Sequence, residues 1–206
     1  MNKLTVAVAV LGVALALSAC GTSEVSGEAA QTVTGQVADY TGPAGALEAA
    51  DGFTDSPVSI GAGTIDADGS FTFELDSTVP ESVLNPLDFT NGCDGIKVSN
   101  PNAKGFAVPR LKVISEGGIV GSLELASADS SVATSYKSTV RFYVDQDTTI
   151  RGTCEFSNEF GSSKQSANLN LKRGWNVISS DTSETDNSYE VNLYNGVASG
   201  VRWVYY

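Results

Sequence analysis

Period-two alternation is the feature that most limits what this chain can become. In "GSFTFELD", Phe71, Phe73 and Leu75 alternate with Thr72 and Glu74, the pattern of a half-buried strand whose successive side chains face opposite ways. The run follows "VSIGAGTID" across Ala67-Asp68-Gly69, and Asp-Gly between two such runs predicts a hairpin. "PRLKVIS" and "IVGSLELAS" flank Glu116-Gly117-Gly118 and predict a second one. "STVRFYVDQ" puts Val140, Phe142 and Val144 on one face. "TTIRGTCEF", "ANLNLKRGWNVIS" with Leu169 and Leu171, "SYEVNLYNG" and the terminal "GVRWVYY" extend the series. No window carries a helical period beyond one turn at "PESVL", where Pro80 suits a first helical position. Many short strands joined by Gly-rich turns point to an all-β fold. The expected architecture is mostly antiparallel β-sandwich, as one continuous sheet system or as two packed β modules.

Residues 1–19 stand outside this pattern. Lys3 follows the amino terminus, and "LTVAVAVLGVALAL", Leu4 to Leu17, is an apolar and small-residue run. Its length, about fourteen residues at 1.5 Å each, is too short for a hydrocarbon core of about 30 Å and suits the apolar region of a signal peptide. The next residues, Leu17-Ser18-Ala19-Cys20, resemble the lipobox of bacterial lipoproteins. The resemblance implies cleavage before Cys20, a diacylglyceryl group on its thiol, and acylation of the new amino terminus. Two or more acyl chains hold a protein stably to a bilayer where one does not. Gly21 stands where an Asp in that family is a common inner-membrane retention signal, so the resemblance favours the outer membrane or the cell surface. With Cys20 assigned to lipid, Cys93 and Cys154 remain as an even pair in an oxidising compartment, either bridged or as two buried thiols.

Residues 20–32, with "GTSEVSGEAAQT" after the cysteine, carry little apolar mass and read as a flexible tether. From Cys20 to Asp94 there are thirteen acidic residues and no Lys or Arg, whereas residues 95–206 hold eleven of each sign. Such an acidic surface repels nucleic acid and anionic lipid and either associates with cations or is simply solvated. The charge change, Pro86 and Asn91-Gly92 place a boundary between an acidic β module over 33–88 and a second one over 89–206. In the first, the opening Val33-Thr34-Gly35-Gln36-Val37, the small-residue strand around Gly45 to Ala50, and the closing Ala67 to Phe73 resemble the carboxypeptidase-regulatory-like or transthyretin-like β-sandwich module. That resemblance implies an accessory module without catalysis.

Chemistry is hard to find in this chain. It has no histidine, which removes Ser-His-Asp and Cys-His machinery and every histidine-ligated metal. Neither G-x-S-x-G nor S-x-x-K occurs. A small envelope hydrolase would need two carboxylates converging in one cleft with raised pKa values. Calcium is the one candidate cofactor. Asp66 and Asp68 sit in a D-x-D-G loop, although Phe71 and Ser77 occupy the positions where an EF-hand needs Gly and Glu. Asp145 and Asp147 fall on one side of an alternating strand. Both pairs also read as ordinary turns.

Among the aromatics, all six from Trp175 onward are Trp or Tyr, rings with a polar tip that suit half-wet surfaces such as sugar platforms and protein interfaces. Trp175, Tyr189, Tyr194 and Trp203 are therefore the candidate ligand or partner surface. Trp203 shares a strand face with Val201 and Tyr205 and equally suits a core. The expected function is non-catalytic: a membrane-anchored envelope protein that binds or assembles with an envelope protein, or alternatively one that binds a carbohydrate or small ligand.

Overall fold

The computed structural model describes residues 31–49, 58–87, 94–127, 134–158 and 161–206. The signal segment, Cys20 and Cys93 lie outside them. The fold is all-β. Fifteen strands run in chain order as β1 Gln31–Gln36, β2 Gly45–Ala49, β3 Gly61–Ile65, β4 Ser70–Leu75, β5 Asn85–Pro86, β6 Ile96–Val98, β7 Lys104–Val108, β8 Leu111–Ser115, β9 Gly118–Ala126, β10 Ser135–Val144, β11 Thr148–Asn158, β12 Gly161–Leu171, β13 Gly174–Thr185, β14 Ser188–Asn195 and β15 Arg202–Tyr205. The one helical element among the described residues is a 3-10 turn at Glu81–Val83. Pro80 stands just before it in an extended conformation, as its cap and not as its first residue. Gln31 and Thr32, expected to end the tether, already pair with Leu75 and Glu74.

Both expected hairpins form. β3 and β4 pair from Gly61 opposite Leu75 to Ile65 opposite Phe71. β8 and β9 close through Ser115 opposite Gly118, with a bulge beyond Val113. The strands lie in the order β1-β4-β3-β2-β8-β9-β10-β13-β14-β12-β11-β6, with β15 on β9, β7 on β10 and β5 on β7. Just past β1, Val37 bridges Trp203 in parallel, so β1, β4, β3, β2, β8, β9 and β15 come round on themselves. The expected boundary at 88/89 is crossed by sheet pairing, because β2 pairs with β8 from Ala46 opposite Ile114 to Ala49 opposite Leu111.

Two apolar cores result among the described residues. The first joins Val33, Leu47, Ile60, Phe71, Phe73 and Leu75 to Val108, Val113, Leu123, Tyr143 and Trp175. It therefore takes side chains from both sides of residue 88. The second gathers Ile96, Phe142, Val144, Ile150, Leu169, Leu171 and Ile178. Alternation on β10 explains how they touch. Phe142 and Val144 point into the second core with Val140 against it, while Tyr143, one residue out of phase, enters the first. β10 and β13, paired over ten positions, are the wall common to both.

Candidate functional site

The expected aromatic surface divides three ways. Trp175 is corrected from surface to core: it is 0% exposed, its ring stands edge-on to Tyr143 with centroids 5.4 Å apart, and its Nε1–H donates to the Asp76 carbonyl at 2.7 Å. A buried indole satisfies its one donor in this way. Trp203 is half-buried and packs edge-on against Phe71. Tyr194 is also half-buried, and its hydroxyl donates to Asp181 Oδ1 at 2.7 Å. Burial first, then that hydrogen bond and the carboxylate charge, raise its pKa to about 12. Only Tyr189 stands well out, 45% exposed.

Tyr189 has a companion that the sequence did not single out. Strand pairing puts Phe156 of β11 opposite Ser163 of β12, Ser163 opposite Tyr189 of β14, and Tyr189 opposite Glu184 of β13. Residues in register on neighbouring strands share a face. The four therefore form one row, with Phe156 (47% exposed) and Tyr189 flanking a serine. Neighbouring strands lie about 4.8 Å apart, so the two aromatic positions are separated by about 10 Å. Alternation through Ile150, Gly152 and Cys154 points to a core position for Phe156. The strand instead outruns the second core, whose last member on this side is Cys154, and Phe156 emerges beyond it.

The row opens on a trough of about 450 Å³ that also takes in Ser157, Ser162, Asp186 and Asn187, a size within the usual range of small-ligand sites of about 300–1,000 Å³. Local chemistry fixes its walls. Thr185 Oγ1 accepts from the Ser188 amide at 3.1 Å and lies 2.7 Å from Ser188 Oγ, tying the β13–β14 turn. The Ser162 amide donates to the Asn187 carbonyl at 2.9 Å. Gly161 makes that approach possible, since a Cβ there would lie 2.6 Å from the Asn187 oxygen and its φ is +147°.

The aspartates considered for calcium serve the chain itself. Asp68 Oδ1 accepts from the Ser70 amide at 2.9 Å and from Ser70 Oγ at 2.7 Å, and these hydrogen bonds hold its carboxyl below the usual range. Asp66 turns to the same hydroxyl at 3.4 Å. The chain turns after β10, so alternation does not carry from Asp145 to Asp147. Asp145 Oδ1 accepts from the Lys104 amide, whereas Asp147 takes the Lys172 ammonium at 2.9 Å and the Arg173 amide at 2.8 Å. Those two contacts lower the Asp147 pKa, the amide more than the ammonium. No group of three metal-ligating side chains occurs among the described residues.

A separate polar cluster joins β9 to β10. Buried Glu124 accepts from the Tyr136 hydroxyl through Oε1 and from Arg110 Nε at 3.1 Å through Oε2. Burial, and then the Glu124 hydrogen bond, push the Tyr136 phenol upward. Cys154 is buried in the second core, and its proposed mate Cys93 is outside the described residues. Among those residues no helix is long and apolar enough to cross a membrane. Comparison with known proteins finds no matching family model, no matching curated protein and no matching solved structure.

Proposed function

We propose that this chain is an exported, lipid-anchored protein of the cell envelope that works by binding, and that its ligand surface is the trough between Phe156 and Tyr189, which takes a glycan. The anchor is supported by the lipobox resemblance at Leu17 to Cys20, and a non-catalytic role by the lack of any histidine. One observation carries the ligand class: two exposed rings in one strand row with Ser163 between them and Glu184 beside them. A ring face accepts the C–H-bearing face of a pyranose, a serine hydroxyl donates to or accepts from its hydroxyls, and a carboxylate accepts from them. The spacing of the rings suits a short oligosaccharide, not a single sugar.

Titration of the mature protein against a panel of envelope oligosaccharides tests this reading. Phe156→Ala and Tyr189→Ala should each weaken binding by about 1 kcal/mol, some fivefold in affinity. Far-ultraviolet dichroism should not change, because both rings are exposed. A panel that elicits no response from the wild type defeats the glycan reading. Assembly with an envelope protein is a second reading, favoured by Ile119 and Val120, which stand 64% and 43% exposed beside the β8–β9 turn. A stoichiometric envelope protein copurifying from mild detergent, together with a silent panel, would select it.

A further inference from the structure

A cleft opens where the chain passes from β7 through Pro109 and Arg110 into β8, next to the meeting of β9 and β10. Its walls are apolar, formed by Val33, Phe73, Leu75, Leu125 and Trp203, and Arg141 lines it from the β10 side. Arg141 lies opposite Val108 on one flank and Val177 on the other. It shares the strand face of Tyr143 and Thr139, both of which are buried. Its Nε is buried with no hydrogen-bond partner. The guanidinium belongs to none of the ion pairs found among the described residues. Among the described residues no carboxylate lines the cleft. The other cation there, Arg110, is committed to Glu124 at 3.1 Å.

A guanidinium stays charged under all ordinary conditions, and burying its N–H groups without a partner is unfavourable. This chain carries 24 acidic residues against 12 basic ones, so acids are plentiful, yet among the described residues none pairs with Arg141. We propose that Arg141 anchors a binding site for a small amphipathic carboxylate, a single carboxylate head on a linear apolar tail. One uncommitted guanidinium presents a planar fork that matches one carboxylate, and with Arg110 balanced by Glu124 the cleft holds one uncompensated positive charge, too little for a phosphate dianion. The cleft offers about 20 Å³ to water-sized groups, little more than one of them needs. Only the head enters, and the tail lies along the apolar mouth. The site lies in the first core's wall and is independent of the trough at Phe156 and Tyr189.

The test is thermal denaturation and calorimetric titration of the mature protein with octanoate, octanol, acetate and inorganic phosphate. Octanoate should raise the midpoint in a saturable way, and acetate and octanol should each do so far less, since each lacks one half of the recognised chemistry. Arg141→Met, of similar length and uncharged, should weaken octanoate by at least about tenfold, the worth of one charge-assisted hydrogen bond. The same variant should raise the ligand-free midpoint by removing the uncompensated charge. Equal responses to octanol and octanoate, phosphate binding in preference to octanoate, or an octanoate response that survives in Arg141→Met would each overturn the proposal. The ligand series on wild type decides the matter even if the variant fails to fold.

Discussion

Tyr194 shows what a single polar contact does in a half-buried setting. Its pKa of about 12, raised by burial and by the Asp181 carboxylate, lies above the value of about 10 expected of the phenol in an unfolded chain. Below that unfolded value both states hold the proton and the contact contributes in full. Between about 10 and 12 the unfolded state loses its proton first, so stability falls as pH rises. Tyr194→Phe should therefore flatten the alkaline loss of stability and remove one late-titrating phenol from the ultraviolet titration. An unchanged alkaline limb in the variant would show that Tyr194 titrates normally. At this scale the sequence was a fair guide to chemistry and a poor one to exposure. Trp175 and Tyr189 look alike in the chain, yet one is sealed in the first core and the other projects from a sheet end. The aspartate pairs likewise offered oxygen ligands by spacing. Ser70, two residues from Asp68, takes its Oδ1 locally, whereas Lys172 reaches Asp147 only because the fold brings its segment alongside.

Among the elements, the β8–β9 hairpin has its turn chemistry written locally. Glu116 has φ +52° and Gly117 φ +81°, the pair of positive angles that a two-residue type I′ connection requires. Gly117 adopts its angle without strain, whereas a glutamate there is costly and an asparagine much less so. Glu116→Asn should stabilise the protein by about 0.5–1 kcal/mol and Gly117→Ala should destabilise it by a similar amount. Denaturant midpoints are the readout, and opposite signs are required. The same turn was legible in advance, as was the β3–β4 hairpin, because alternation and Asp-Gly or Gly-Gly signals act between neighbours in sequence. Strand order was not. Nothing local announces that β2 pairs with β8, or that β12 lies parallel to β14. Phe156 was missed for the same reason, since alternation gives its face and not the point where the core beneath it ends.

For the molecule as a whole, the question is whether two cores unfold as one. Trp175 argues that they do. Its carbonyl accepts from Gln31 Nε2 at 3.2 Å, its indole N–H reaches Asp76, and its strand β13 carries Ile178 into the second core. A break in either core loosens the β10–β13 wall that serves both, so calorimetry should give a single transition. The cysteines separate stability from attachment. A Cβ built on Gly95 would lie 3.5 Å from Cys154 Sγ, which brings the chain two residues beyond Cys93 against that sulfur and supports the proposed bridge. Such a bridge closes a loop of 62 residues, 93 to 154 inclusive, and contributes about 4 kcal/mol on the chain-entropy account. Replacing both Cys93 and Cys154 by Ser should lower the single midpoint markedly while the protein stays in the membrane fraction. Cys20→Ala should do the reverse, leaving a chain without acyl groups whose midpoint is unchanged. A double variant that melts with the oxidised wild type would remove the bridge, and a wild-type protein whose mass carries no acyl chains would remove the anchor.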